Sequence, residues 1–215
     1  MSDNKKYIPA LSFDFLTGYY DLIINKVMPR GFRQILAQQV NPSAGEMILD
    51  FGTGTSAIAI LLKKEMPAIN ITGIDIDPKV LAIAHRKIQE QNLDILLLEY
   101  NAKTFPFPDN YFDKVVSCLV FHHLSPVQKQ DALNEIFRVL KTGGKIYIAD
   151  WGLERNKTKA KLINFFKYFK VLKYIVEHGK GLFPGYITRA GFKHVVETNY
   201  LKTTTGTLCY YQAGK

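Results

Sequence analysis

Short apolar runs alternate with longer amphipathic stretches across residues 47–150. Runs of this kind are typical of strands buried in a parallel sheet, and the amphipathic stretches are typical of helices. The pattern predicts strands at 47–51, 69–75, 95–100, 112–119 and 145–150, with helices after 56, over 78–91 and over 126–140. Asp77 is the expected N-cap of the second of these helices, with Pro78 at its first position.

The two ends of the chain depart from this alternation. Residues 11–40 favour one or two helices that break near Pro29 and Gly31, whereas 192–198 and 206–212 favour two strands with no helix between them. Successive βα repeats join by right-handed crossovers and cover both faces of a parallel sheet. We therefore expect a doubly wound, Rossmann-like α/β fold over a single domain, 1–215, with an N-terminal helical cap over about 1–40 and a terminal β-hairpin.

Composition narrows the class of protein. The 215 residues are 47% hydrophobic, enough to bury a sizeable core. No apolar run follows the polar N-terminus as in a signal peptide, and none approaches the ~18 residues of a membrane span. Cys118 and Cys209 lie in apolar runs and are expected to be free thiols, which favours a reducing, cytoplasmic location.

The net charge of +9 is concentrated in one segment, since 155–180 holds eight Lys or Arg residues against Glu177 alone. Within it, 158–177 has the period of an amphipathic helix. We expect a helical lid insertion over about 156–180 that covers the substrate pocket at the carboxyl ends of the strands. Three interpretations remain: a core helix with solvated lysines, a helix that docks on an anionic membrane and admits a quinone or lipid, or a site for a soluble anion or RNA. The predicted helix would have a cationic face, formed by Lys167, Lys170 and Lys173, and an apolar face, formed by Phe165, Phe169, Leu172 and Val176.

Polar residues follow the predicted strands at their carboxyl ends, where open α/β sheets bind ligands. Asp50 ends the first strand and precedes Gly52 and Gly54, and glycines at such a turn let a ligand approach the backbone. Asp75 ends the second strand, where a carboxylate accepts hydrogen bonds from a ribose. Asn101 follows the third strand and offers a donor and an acceptor to a base, although it also suits an ordinary turn.

Two cofactors suit such an edge. Gly52, Gly54 and Ala57 match the loose dinucleotide pattern G-x-G-x-x-G/A, with Asp75 at a suitable distance. Asp50 favours the other, S-adenosylmethionine, because a carboxylate beside the turn attracts an ammonium group and repels a pyrophosphate. An NAD(P)-dependent oxidoreductase and a basic lipid- or RNA-binding module without catalysis remain the alternatives to a methyltransferase.

Five motifs, in order, resemble the successive motifs of the class I S-adenosylmethionine-dependent methyltransferases, and the branch that they resemble most is the UbiE-like, small-molecule group. The resemblance implies a seven-stranded sheet with an antiparallel last strand, and methyl transfer to a small-molecule or amphiphilic acceptor. Nucleic acid is not an expected partner. The motifs are Ile48-Leu-Asp-Phe-Gly-Thr-Gly-Thr55, Gly73-Ile-Asp-Ile-Asp-Pro78, Phe105-Pro-Phe-Pro-Asp-Asn-Tyr-Phe-Asp113, Leu119-Val-Phe-His-His-Leu124 and Arg138-Val-Leu-Lys-Thr-Gly-Gly144.

The resemblance also assigns residues to the cofactor. Asp50 and the glycine turn would hold its methionine end and Asp75 its ribose, while Tyr20 would close over the methionine part. The chain departs from the family at Ser56, where a third glycine is usual, and at Asn101, where an acid is usual. No Asn-Pro-Pro-Tyr-like motif follows strand four, which argues against the amino-methyltransferases of DNA bases and glutamine. The full cofactor set is Tyr20, Asp50, Gly52, Thr53, Gly54, Asp75, Ile76, Asn101, Ala102 and Cys118.

Residues for the acceptor follow strands four and five. His122 is the expected neighbour of the reacting methyl and a candidate base, with His123 as the second candidate, because adjacent turn residues point in opposite directions. A structural role for both histidines is the alternative. Asp150 and Trp151 are expected in the pocket, where the indole offers its face to a cation or a flat acceptor. No metal site is expected.

Overall fold

The computed structural model describes residues 28–156, 179–204 and 206–215. Over these residues the chain forms a seven-stranded sheet in the order β3-β2-β1-β4-β5-β7-β6. The strands are β1 (Met47–Phe51), β2 (Asn70–Asp75), β3 (Leu96–Glu99), β4 (Phe112–Cys118), β5 (Leu140–Trp151), β6 (Lys193–Lys202) and β7 (Thr207–Gly214). The described helices are α1 (Phe32–Val40), α2 (Ala57–Glu65), α3 (Pro78–Glu90), α4 (Pro126–Val139) and α5 (Phe183–Arg189), with a 3-10 turn at Phe121–His123.

The predicted fold class is confirmed. Strands β1 to β5 pair in parallel, whereas β7 pairs antiparallel with both β5 and β6. Alternate residues of β1 face opposite sides of the sheet, so Ile48 packs with α1, α2 and α3 while Leu49 packs with α4 and α5. Both faces of the sheet are therefore buried under helices, and the strands accordingly have apolar sequences.

The predicted start of the fifth strand was wrong. The sequence predicted a helix to Leu140, a Lys-Thr-Gly-Gly loop and a strand from Lys145, but α4 ends at Val139 and β5 begins at once with Leu140. Leu140 pairs with Phe112, and the register then shifts before Lys114 meets Lys145. Gly143 takes a φ of +80° within this irregular part of the strand. Glycine adopts that conformation readily, so the residues that suggested a loop form an irregular part of β5 instead.

The N-terminal prediction is confirmed only in part. A helix does begin after the predicted break, because Gly31, at a φ of +81°, is the N-cap of α1. Residues 1–27 lie outside the described part of the chain, and so does the predicted amphipathic helix over 158–177. Among the helices that the structure describes, none is long and apolar enough to cross a bilayer.

Two polar side chains of α4 hold the loop between β3 and β4. Arg138 Nη1 donates to Phe107 O at 2.8 Å, and Nη2 donates to Phe105 O at 3.1 Å. Glu135 Oε2 accepts from the Phe105 N–H at 2.7 Å and pairs with Arg138 at 2.8 Å. This loop carries the Phe-Pro-Phe-Pro motif, so α4 fixes the motif against the sheet.

Candidate active site

The loops at the carboxyl edge of the sheet share an unusual backbone conformation. Five of their residues have a positive φ, between +54° and +68°, and three of the five are not glycine. Strain of this kind in non-glycine residues persists where the surrounding structure holds it, and it is often found at binding sites. The five residues are Gly52, Gly54 and Ser56 after β1, Ala102 after β3 and Leu119 after β4.

The glycine turn after β1 packs tightly against the loop after β4. A Cβ placed on Gly52 would lie 2.5 Å from Cγ2 of Val120. The N–H groups of Gly52 and Thr53 both donate to the carbonyl of Ile74 in β2, at 2.9 and 3.0 Å. Gly52 is therefore required by its neighbours as well as by its φ, and the turn is fixed to β2. Val120, which contributes to this packing, lies within the motif at 119–124, but the sequence analysis assigned it no role.

Asp50 is buried directly beneath this turn, with 2% of its surface exposed. Burial raises the pKa of its carboxyl to about 7, although the hydrogen bond from Thr53 Oγ1 at 2.7 Å acts in the opposite direction. Among the described residues no Lys or Arg forms an ion pair with it. A buried acid without a basic partner suits a cationic ligand group, which would restore its charge.

Asp75 lies at the end of β2 and binds the same turn. Its Oδ2 accepts from the Gly54 N–H at 2.9 Å, and its Oδ1 accepts from the Asp77 N–H at 3.1 Å. Burial raises the pKa of Asp75, while these backbone hydrogen bonds lower it. Asp77 itself caps α3 by accepting from Lys79 N at 2.9 Å, as predicted. The structure therefore brings the predicted Asp50, glycine turn and Asp75, with Ile76 following, to one place at the edge.

The residues after β3 form a local turn. The side-chain oxygen of Asn101 accepts from the N–H groups of Lys103 and Thr104, at 3.0 and 3.3 Å, and Asn101 is exposed. This is the turn arrangement that the sequence offered as the alternative role for this residue. The adenine contact of Asn101 and Ala102 remains a prediction, and the amide NH₂ group is the part of Asn101 that suits it.

Cys118, at the end of β4, remains a neutral thiol. Burial raises its pKa to about 12, the positive charge of Arg33 lowers it, and Asp50 and Asp150 raise it further. Such a thiol is an unreactive, small apolar group rather than a nucleophile. Residues of α1 belong to the core cluster against which Cys118 packs, so α1 lies near this edge, which the sequence analysis did not identify.

Two residues that the sequence predicted for the acceptor pocket, His122 and Asp150, are in contact at the ends of β4 and β5. His122 Nδ1 lies 2.7 Å from Asp150 Oδ1, and both side chains are buried, with 8% and 0% exposed. The Trp151 N–H also donates to Oδ1, while the N–H groups of Val120 and His122 donate to Oδ2. These donors hold Asp150 as an acceptor, so its carboxylate suits a hydrogen bond from the Nδ1–H tautomer of His122.

Aromatic rings surround this pair. The His123 ring lies 3.8 Å from the His122 ring, and the Trp151 ring lies 6.3 Å from it. Gly152 allows β7 to pack closely against the end of β5, because a Cβ there would lie 2.3 Å from Cys209 Sγ and 2.5 Å from the Tyr211 hydroxyl oxygen. Tyr211 is a neighbour that the sequence analysis missed, since only the pairing of β5 with β7 brings it to the site.

Two sequence predictions stay untested: the contact of Tyr20 with the cofactor, and the absence of a metal site. Tyr20 lies outside the described residues. No group of three or more His, Cys, Asp or Glu side chains in the described part of the chain could hold a metal ion.

Comparisons of the sequence with known proteins identify relatives that are methyltransferases. Residues 48–144 match the family described as "Methyltransferase domain". The chain is 34% identical over 143 residues to a demethylmenaquinone methyltransferase of Thermus thermophilus, covering 65% of this chain and 64% of that protein. It is 30% identical over 199 residues to the demethylmenaquinone methyltransferase of Lactobacillus johnsonii, covering 90% of this chain and 75% of that protein.

A solved structure shows the same fold. The SAM-dependent methyltransferase from Aquifex aeolicus superposes with a TM-score of 0.65 at 20% identity, over 91% of this chain and 98% of that one. The first three curated relatives are longer than the matched region, and the chain spans 64%, 56% and 58% of their lengths. The Lactobacillus relative, which is matched over three quarters of its length, shows the family most directly. The chain belongs to the class I S-adenosylmethionine-dependent methyltransferases, in their UbiE-like branch.

Proposed function

We propose that this protein transfers a methyl group from S-adenosylmethionine to a quinol-like aromatic small molecule. The observation that carries the proposal is Asp50, a buried carboxyl beside a glycine turn, with no basic partner among the described residues. An amino-acid ammonium is a ligand group that this carboxyl suits, whereas the pyrophosphate of a dinucleotide is repelled by it. That contrast favours S-adenosylmethionine over NAD(P).

The residues present fit this cofactor. Asp50 and the turn at Gly52 and Gly54 would hold its methionine part, and Asp75 its ribose hydroxyls. Asp75 is suited to that role because it is already fixed by the N–H groups of Gly54 and Asp77, and a fixed acceptor loses little entropy when a ligand binds. When bound, S-adenosylmethionine supplies an electrophilic methyl group on a sulfonium.

The acceptor assignment rests on the relatives and on the rings at the end of β4 and β5. The curated relatives act, by their names, on demethylmenaquinone or in ubiquinone and menaquinone biosynthesis. Beside His122, the rings of His123 and Trp151 give a flat acceptor aromatic contacts. These residues would align the acceptor and exclude water, which is the main requirement of methyl transfer from an activated donor.

The proposal is tested by binding and by product analysis. Calorimetry with S-adenosylhomocysteine should show one site, and NADH should show no binding at the same concentration. Incubation with S-adenosylmethionine and a reduced naphthoquinone that lacks the ring methyl should give the methylated naphthoquinol by mass spectrometry. Binding of NADH but not of S-adenosylhomocysteine would favour an oxidoreductase and refute the proposal. Binding of S-adenosylhomocysteine without methylation of the naphthoquinol would refute the acceptor class.

A further inference from the structure

The buried contact between His122 and Asp150 joins the turn after β4 to the end of β5. Asp150 is the second-last residue of β5, and His122 lies in the 3-10 turn after β4. Their side chains meet at 2.7 Å, although 28 residues separate them. A histidine in a turn could otherwise face solvent without loss, so the burial of this ring against a carboxylate calls for a chemical explanation.

Hydrogen bonds to Asp150 fix the orientation of the His122 ring. Oδ1 accepts from His122 Nδ1 and Trp151 N, both at 2.7 Å. Oδ2 accepts from Val120 N at 3.1 Å and His122 N at 3.3 Å. Both the ring and the backbone of His122 are therefore bound to one carboxylate, which leaves the imidazole little freedom to rotate.

The second ring nitrogen of His122, Nε2, is not used by the contact with Asp150. His122 is 7% exposed, and the described residues offer no hydrogen-bond partner to its Nε2. Its ring instead contacts His123 and Trp151, whose rings lie at 3.8 and 6.3 Å. An imidazole with Nδ1–H fixed on a carboxylate presents a basic Nε2, which is the arrangement of a proton acceptor.

We propose that Asp150 is a positioning residue that fixes the Nδ1–H tautomer of His122, so that His122 Nε2 accepts a proton from the methyl acceptor. This inference rests on the proposed function. The acceptor's hydroxyl gives its proton to Nε2, and its electron pair moves through the ring to form the new bond to the methyl carbon. The methyl–sulfur bond breaks, with its electron pair staying on sulfur. For a ring carbon, the displaced C–H proton then leaves to solvent as the aromatic ring is restored, and the protonated Nε2 returns its proton to the acceptor's oxygen.

The tautomer can be measured without any cofactor or acceptor. Long-range ¹H–¹⁵N correlation spectra of the free protein report which ring nitrogen carries the proton, and His122→Gln identifies the signal. The proposal predicts that Nδ1 of His122 is protonated and that Nε2 is not. A signal showing the proton on Nε2 in the wild type would overturn it. This measurement needs no Asp150 variant, so it decides the matter even if Asp150→Asn, which loses acceptors for backbone N–H groups, fails to fold.

Kinetics test whether the two residues act as one unit. Asp150→Asn should lower kcat about 10²-fold with little change in S-adenosylhomocysteine affinity. The double variant Asp150→Asn/His122→Gln should be no slower than His122→Gln alone, because residues of one unit are not additive. Losses that multiply would mean that Asp150 acts through the fold rather than through His122, which would overturn the proposal.

The chain offers matched controls for both changes. Asp131→Asn changes an exposed acid of α4, and His85→Gln changes an exposed histidine of α3; both should keep wild-type kcat. The failures are also distinguishable. A protein that binds no S-adenosylhomocysteine refutes the proposed function, whereas methyl transfer that is indifferent to Asp150→Asn refutes only the positioning role.

Discussion

The main-chain N–H of Gly54 donates to Oδ2 of Asp75 across 2.9 Å, so that the turn after β1 is tied to the end of β2. These residues lie 21 positions apart in the sequence. The two parts of the site, one suited to an amino acid and the other to a ribose, are therefore held as a single unit before any ligand binds. This relationship makes the cofactor half of the site sensitive to changes on either side of it.

Replacing Asp75 tests the ribose contact. Asp75→Ala should weaken S-adenosylhomocysteine binding by about 1–3 kcal/mol, because it removes an acceptor from hydroxyl groups in a buried site. The control is Asp77→Ala, which removes the cap of α3 and should lower the free energy of unfolding by about 1 kcal/mol with little effect on affinity. Equal affinity in wild type and Asp75→Ala by calorimetry would remove Asp75 from the binding site.

Replacing Gly52 tests the packing of the turn against Val120. A Cβ at Gly52 would meet Val120 Cγ2 at 2.5 Å, whereas Gly45 has a similar positive φ, +82°, and nothing within 4 Å. Gly45→Ala should therefore lower the free energy of unfolding by about 1–2 kcal/mol through its φ alone. Gly52→Ala should lower it by roughly 1–3 kcal/mol more.

A double-mutant cycle measures how much of the lost stability comes from the clash between the new Cβ at position 52 and Val120. Combining Gly52→Ala with Val120→Ala should recover about 0.5–3 kcal/mol relative to the sum of the single changes, measured by urea unfolding. Strictly additive losses would show that the two loops are not in contact in solution.

Cofactor affinity should depend on pH through Asp50. Its pKa is about 7 in the folded protein against an ordinary 3.8, so the folded state holds a proton that the unfolded chain releases between those values. The stability that Asp50 contributes therefore falls as the pH rises through this window. Binding of an ammonium group requires the ionised carboxylate, so affinity for S-adenosylhomocysteine should rise over the same window, by at most tenfold per pH unit.

Calorimetry from pH 5.5 to 7.5 checks this dependence, with Asp50→Asn as the comparison. Burial also raises the pKa of Asp75, so only the part of the slope that disappears in Asp50→Asn belongs to Asp50. A slope of the same size in that variant would show that Asp50 does not bind the ligand's cation.

Replacing Arg138 tests the loop that leads into β4. Arg138→Ala removes the donors to the carbonyls of Phe105 and Phe107 and leaves Glu135 without the hydrogen bond that lowers its pKa. The free energy of unfolding should fall by about 1–3 kcal/mol, since orphaned carbonyls are costly. Arg86→Ala, at an exposed position of α3, should change it by less than about 0.5 kcal/mol. Similar losses in both variants would mean that the loop is held by packing alone.

The sheet was predictable because its signals are local. The apolar runs and the cap at Asp77 and Pro78 lie within single elements, and the structure confirms them. The terminal hairpin was predictable from the lack of a helix between its strands, and β6 and β7 do pair antiparallel. The start of β5 was not, because Lys141-Thr-Gly-Gly144 has the composition of a turn, and only the pairing of Leu140 with Phe112 places it in the sheet.

The candidate site was predictable residue by residue but not as a set of contacts. His122 and Asp150 were both chosen because they follow strands, yet nothing in the sequence indicated that the carboxylate would bind Nδ1 of that histidine rather than of His123. Val120 and Tyr211 were missed for the same reason, since their contacts with the glycines at 52 and 152 arise only when distant strands pair.

Methyl transfer itself is tested most directly by following a labelled methyl group. The purified protein is incubated with S-adenosylmethionine carrying a deuterated methyl and with a reduced naphthoquinone that lacks the ring methyl, and the products are analysed by mass spectrometry. We expect a naphthoquinol that carries one deuterated methyl, together with S-adenosylhomocysteine, and we expect this product to fall sharply with Asp75→Ala. An unlabelled naphthoquinol and an unconsumed donor, under conditions in which the protein binds S-adenosylhomocysteine, would contradict the proposed acceptor; absence of that binding would contradict the site as a whole.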